Sequence, residues 1–284
     1  KGTFLSTVGL AILGVVAVAI VRAIVHARDP EIHTSVGGAI YHVINRGNQR
    51  ATVYHSPPDY AAFLQLVERA DERIPMRLLA YCLMPNHFHL VLWPHEDGDL
   101  SRWMQWLLTA HVRRYHRVLG TSGRVWQGRF KAFPVQSDGH LLAVLRYVEA
   151  NPLRAGLVRR AEEWAWSSAA AVSPAESGLG GSVQSGVGIG VGIGVQSGVG
   201  SGLRSGLQGS RRSILRVDEW PVPRPANWLQ HVNESVEPPE SLRQLRECVN
   251  RGAPYGDGVW VEQTAARLGL ESSLRAPGRP RHSG

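Results

Sequence analysis

Cysteine is nearly absent from this chain of 284 residues. The two present, Cys82 and Cys248, lie far apart, and neither belongs to a Cys-x-x-Cys pair. That leaves no thiolate metal motif or dithiol redox motif, argues against a disulfide framework and fits a reducing compartment. Acidic residues are also in short supply: 23 Asp plus Glu stand against 31 Lys plus Arg, a formal net charge of +8. Arginine supplies most of the excess, and its planar guanidinium forks onto phosphate oxygens better than an ammonium does. Such a balance favours a polyanionic partner, nucleic acid first and an anionic membrane second.

Long apolar runs are lacking except at the N-terminus. Residues 4–20 are apolar apart from Ser6, Thr7 and two glycines, and Arg22 ends the run. The stretch is just long enough to cross a bilayer. Because the chain begins with Lys1 rather than methionine, three readings stay open: a translated upstream region, a membrane anchor, or a cleaved signal peptide without a clean small-residue cleavage site. If it is an anchor, Arg22 and Arg28 on its C-terminal side would keep the rest of the chain in the cytoplasm.

What is present divides into four parts: the apolar segment 1–35, a mixed unit over 36–170, a Gly/Ser-rich linker over 171–213, and a small basic C-terminal region over 214–284. In the linker, near-repeats such as Gly186-Val187-Gly188-Ile189-Gly190 offer too little burial to offset the entropy of ordering. The C-terminal region promises helices over 239–251 and 259–268. Within its last ten residues stands Gly278-Arg279-Pro280, either an AT-hook-like strand for the minor groove of A·T tracts or simply a disordered basic tail.

Hydrophobic periodicity orders the mixed unit. Alternation predicts strands over 38–46, 76–83, 87–93 and 129–136. Spacings of three and four predict helices over 57–73 and 100–119, and Asp138 opens a third that Pro152 stops near Ala150. Asp59 or Ser56 caps the first helix. The exposed side of the second carries His111, Arg113, Arg114, His116 and Arg117. Strand, helix, strand, strand, helix, strand, helix is an α+β plan, an antiparallel sheet with helices on one face.

Two places carry chemistry. In Met84-Pro85-Asn86-His87-Phe88-His89 a two-residue turn leads into a strand, and alternation puts His87 and His89 on one face with Phe88 on the other. A histidine pair at this spacing also arises readily by chance, so its context matters more than the tripeptide. Further on, Tyr147 and Asn151 are four apart, presenting a phenol and an amide on one helical face, with Pro152 leaving the amide at a frayed helix end. Tyr115, in Arg113-Arg114-Tyr115-His116-Arg117, is a competing nucleophile.

These pieces, with Tyr41-His42-Val43, Asn45-Arg46-Gly47-Asn48 and Trp126-Gln127-Gly128-Arg129-Phe130, resemble the single-tyrosine transposases with a histidine–hydrophobic–histidine motif, the IS200-like superfamily, and within it the REP-associated tyrosine transposases. The resemblance is strong over about 36–170 and loose around 252–281; the Gly-rich linker and the apolar N-terminus depart from it. It implies a ferredoxin-like sheet and a cytoplasmic, nucleoid-associated enzyme that cuts and rejoins single-stranded DNA beside hairpins, as a monomer or homodimer. Tyr147 would be the nucleophile forming a 5′-phosphotyrosine link. His87, His89 and Asn151 would hold a divalent cation, for which imidazole ligation alone suggests zinc or manganese and the resemblance suggests Mg2+ or Mn2+. A free phenol ionises near pH ~10, so the cation or a nearby arginine has to favour the phenolate. Arg46, Arg113, Arg114, Arg117, Arg129 and Arg279 are candidate phosphate contacts. Trp126 and Phe130 are candidates for stacking on bases, with core packing as the alternative. Two other readings are a catalytically silent, sequence-specific DNA-binding protein and, if residues 4–20 are an anchor, a membrane-tethered DNA binder.

Overall fold

The computed structural model describes residues 35–172, 215, 217–234 and 239–275. The apolar segment 4–20, most of the Gly-rich stretch, and Arg279 lie outside the described residues. Among the described residues no helix is long and apolar enough to cross a membrane.

Four strands form one antiparallel sheet: β1 (Ile40–Arg46), β2 (Met76–Met84), β3 (His87–Pro94) and β4 (Lys131–Val135), in the spatial order β2-β3-β1-β4. This is the ferredoxin-like order, with the two central strands β1 and β3 paired along their length. β4 is shorter than the predicted strand 129–136, and Arg129 lies ahead of it in an exposed turn.

Alternation sorts the side chains between two cores. Tyr41, Val43, Tyr81, Leu83, Phe88, Leu90 and Leu92 face one layer, built from α1 (Pro57–Asp71) and α2 (Asp99–Leu119). Val91, Cys82, Met84 and Phe133 face the other. A register shift between Leu78 and Ala80 puts Leu79 and Ala80 on the same side, which returns β2 to the alternation its partner needs. Phe88 is fully buried on the side away from the histidines, a contribution of roughly 2–3 kcal/mol of apolar burial.

α1 starts as expected: the Asp59 carboxylate accepts from the Ser56 N–H (3.1 Å) and the Ser56 hydroxyl (2.9 Å), and Pro57 occupies the first helical position. α2 stops at Gly120, whose φ of +62° an L side chain rarely adopts.

The second layer goes beyond the expected one-sided cover. It consists of α3 (Gly139–Glu149), α4 (Asn151–Arg154), α5 (Trp228–Asn233) and α6 (Pro239–Arg251). Beyond them lie α7 (Gly258–Leu268) and α8 (Glu271–Leu274). The C-terminal region is therefore built into the domain. Asp218 N–H donates to the Leu78 carbonyl and its carboxylate accepts from Leu78 N–H, both at 2.7 Å. Tyr255 exchanges backbone bonds with Pro134 (2.9 Å) and Gln136 (3.0 Å) beside β4. The fully buried Glu149 carboxylate accepts from Ser168 Oγ and Trp228 Nε1, each at 2.6 Å, so one group ties α3 to α5. Burial pushes that carboxyl up, and its two donors oppose the shift. Pairing and packing of this kind depend on contacts far apart in sequence, which strand and helix periodicity does not encode.

Candidate active site

The site is assembled on the face of the sheet under α3. Register places Arg46 opposite His87, Ile44 opposite His89 and His42 opposite Val91, so β1 and β3 present one continuous stripe. His89 is buried and His87 half-buried; their rings meet edge to face with centroids 5.0 Å apart. α3 lies over this stripe because Asp138 caps it, accepting from His140 N–H at 2.8 Å, and Leu141, Val144, Leu145 and Val148 pack on the sheet. Tyr147 then comes down on the histidines. Its ring stands edge to face on His89 (5.6 Å) and on His42 (6.0 Å), and the residue is 8% exposed.

Asn151 does not sit at a frayed end. The chain bends after Ala150 and continues as α4, with Asn151 its first residue and Pro152 its second. Proline is accepted there because a first helical turn leaves its N–H groups unpaired anyway. Pro152 supplies no N–H for the Val148 carbonyl; the Asn151 amide nitrogen donates to that carbonyl (3.4 Å) and to the Tyr147 carbonyl (2.9 Å). With its NH2 turned back on α3, Asn151 has its side-chain oxygen left as an acceptor or ligand.

His87, His89, Tyr147 and Asn151 line one cavity of about 400 Å3, together with Arg46, Arg154, Arg246 and Asn250. Three arginines thus border a space that holds a phenol and two imidazoles. Arg154 sits with its guanidinium carbon 4.4 Å from the centre of the Tyr147 ring and donates to the Tyr147 carbonyl. Arg46 carries a buried Nε with no hydrogen-bond partner among the described residues. Arg246 and Asn250 come from α6, so the C-terminal region forms one wall of the cavity.

Burial pushes His87 down to about 4, with Arg46 adding to the effect. His89 is held well below the usual histidine range by burial first, then by His87, His42, Arg154 and Arg46. Both are neutral imidazoles near neutrality, the form that coordinates a cation. In each, Nδ1 is already engaged: with Asn86 Oδ1 at 2.7 Å for His87, and with His42 Nε2 at 2.8 Å for His89. Nε2 is the nitrogen left for coordination, the usual arrangement of an imidazole ligand oriented by a second hydrogen bond. Among the described residues no three His, Cys, Asp or Glu side chains form a group that could hold a metal. A cation here would take its third protein ligand from the Asn151 oxygen, and the donor set of two imidazoles and one amide oxygen fits a small divalent ion.

Other candidates fall elsewhere. Tyr115 lies on α2, in the opposite layer, with its hydroxyl 3.2 Å from His55 Nε2. Arg113 and Arg117 are exposed on that helix, and Arg114 donates to the Pro58 carbonyl (3.5 Å) and lies 3.9 Å from Asp59. Trp126 is 6% exposed, wedged against Phe88 and His111, so it is a core residue and not a platform for bases. Phe130 also packs on that core. His111, expected on the exposed side of α2, is buried in the same cluster. Local sequence does not mark His42, Arg154 or Arg246 as site residues. Strand alternation does put His42 on the face of Arg46, but which strand pairs with it is a long-range fact. Nothing local marks Arg246.

Comparison with known proteins finds similarity to one group of transposases. Residues 35–151 match the family described as "Transposase IS200 like". A Haemophilus influenzae protein named for the REP-associated tyrosine transposases is 26% identical over 116 residues, 37% of this chain and 66% of the relative's own length. The Escherichia coli REP-associated tyrosine transposase is 22% identical over 135 residues, 46% of this chain and 76% of that one. A solved structure of a REP-associated tyrosine transposase bound to a REP hairpin superposes with a TM-score of 0.42 at 19% identity, covering 54% of this chain and 90% of the other. Residues 35–151 are thus similar to the IS200-like transposases.

Proposed function

We propose that this protein is a metal-dependent tyrosine transposase that cuts and rejoins single-stranded DNA beside a hairpin. The observation that carries this reading is the convergence of Tyr147, His87, His89 and Asn151 in one cavity bordered by Arg46, Arg154 and Arg246. His87, His89 and Asn151 would hold Mg2+ or Mn2+. The ion supplies charge neutralisation at the scissile phosphate when bound.

The remaining chemistry belongs to the chain. The arginines bind and orient the phosphodiester, and the unpartnered Arg46 Nε is a donor waiting for an acceptor. The Tyr147 oxygen attacks phosphorus as the phenolate, and the bond from phosphorus to the 3′ oxygen breaks. A 5′-phosphotyrosine link and a free 3′-hydroxyl result. Arg154 lies over the ring that bears negative charge as attack begins. Rejoining is the reverse step, with a 3′-hydroxyl displacing the phenol, so bond energy is kept and no ATP is needed.

Incubation with hairpin-flanked single-stranded DNA and Mn2+ tests the reading. The expected product is a covalent protein–DNA adduct on a denaturing gel, lost in Tyr147→Phe and kept in Tyr115→Phe. An absence of adduct with every divalent ion while DNA binding stays intact would replace this reading with that of a catalytically silent DNA-binding protein.

A further inference from the structure

His42 is the one imidazole of the stripe that cannot be a ligand. It is fully buried on central strand β1, edge-on to Phe133 (centroids 4.9 Å) and nearly parallel to His89 (5.0 Å, 21°). Its Nε2 faces His89 Nδ1 at 2.8 Å, and its own Nδ1 is buried with no partner among the described residues. Fully buried and facing another imidazole, the ring is neutral and carries one N–H.

A contact between two ring nitrogens holds one proton, and which ring owns it decides what His89 can do. If His42 owns it, His89 Nδ1 accepts. The single proton of neutral His89 then sits on Nε2, and that nitrogen has no lone pair to give. If His89 owns it, Nδ1–H donates to His42, and His89 Nε2 is free for a cation. The proton of His42 then sits on the unpartnered Nδ1. We infer that His42 is a positioning residue that holds His89 in the Nδ1–H tautomer and fixes its ring, making His89 competent to bind a divalent cation. Histidine ligands commonly give this proton to a carboxylate or backbone carbonyl; a neutral imidazole does the same work here without placing a negative charge in a buried layer. The inference rests on His89 being a ligand, as proposed above.

Calorimetric titration of the full chain with Mn2+ tests it. The wild-type protein should bind, His89→Ala should lose that binding, and His42→Phe, which keeps the volume and removes the acceptor, should weaken it 10–100-fold. His42→Gln, whose side-chain oxygen can accept near the Nε2 position, should recover most of the loss. If His42→Phe folds and binds Mn2+ as wild type does while His89→Ala does not, this inference fails and the metal site stands. If His89→Ala binds as wild type does, the metal site itself is refuted and the inference falls with it. A second measurement does not depend on variants folding. Long-range 1H–15N spectra of wild-type protein saturated with Mg2+ should show His89 protonated at Nδ1; protonation at Nε2 would overturn the assignment.

Discussion

His111 should set part of the acid limit of the fold. Its ring is 4% exposed and packs against Phe63 and Trp126, each with centroids 5.2 Å away, then Tyr54 (5.9 Å) and Tyr115 (6.1 Å). Nδ1 is buried without a partner among the described residues. Burial pushes its pKa down to about 4; Arg114 adds to that, and Asp59 opposes it. Between the ordinary value of 6.5 and about 4 the unfolded chain takes up a proton that the folded one refuses. Stability therefore falls as pH falls through that window, by about 1.4 kcal/mol per pH unit and about 3 kcal/mol in all. His42, His87 and His89 act in the same direction from the other face of the sheet, so the wild-type curve alone does not isolate His111. The difference from His111→Phe does, because phenylalanine keeps an aromatic ring in the box and carries nothing to titrate. Urea unfolding followed by tryptophan fluorescence should find the two proteins within about 1 kcal/mol of each other at about pH 7.5, since the variant loses no paired hydrogen bond at Nδ1. By about pH 4.5 the variant should lead by a further ~2.5 kcal/mol. Parallel stability curves across that range would refute the reasoning.

Two changes at the cavity should separate chemistry from binding. Arg154→Ala removes the guanidinium over Tyr147 and should slow adduct formation on saturating DNA by about 10²-fold, with a far smaller change in affinity by gel shift. Equal losses in both would make Arg154 a binding residue only. Arg246→Ala should weaken binding of single-stranded DNA and reduce the slope of log K against log salt by about 0.7, the share of one phosphate contact. An unchanged slope would place the DNA backbone away from α6.

The parts of the fold visible in the sequence are those set by local rules. The strand alternation around His87 and His89, the Asp138 cap, the Ser56–Asp59 start of α1 and the two C-terminal helices follow from neighbours a few residues apart. The candidate site was legible to the same extent: alternation puts His87 and His89 on one face, and a spacing of four puts Tyr147 and Asn151 together, and these four residues line one cavity. What was hidden depends on pairing and burial. His42 becomes part of the site only through the β1–β3 register. His111 lies on a helix with arginines around it, and only the packing of Phe63 and Trp126 shows that it faces inward. Arg246 reaches the cavity from beyond the Gly-rich stretch, across a distance in sequence that no periodic pattern spans.

The sheet sorts its side chains by face, and the division explains where the candidate site sits. On one face, Phe88, Leu90 and Leu92 meet the helices α1 and α2 in a core of large apolar side chains, which carries much of the burial that holds the domain together. The other face has to bury imidazoles, which repay little on their own, and it does so under a helix that must also deliver a tyrosine. That face gains stability from the C-terminal region instead: Trp228, Val232 and Leu245 join its core, and Glu149 binds Trp228 directly. The C-terminal region therefore supports the layer that carries the candidate site, while α6 shapes its cavity. The exposed Arg113 and Arg117 lie on α2, in the opposite layer. On the proposed function, DNA held at the cavity by Arg46, Arg154 and Arg246 would have to pass around the edge of the sheet to reach them, so their expected role is in gripping flanking DNA.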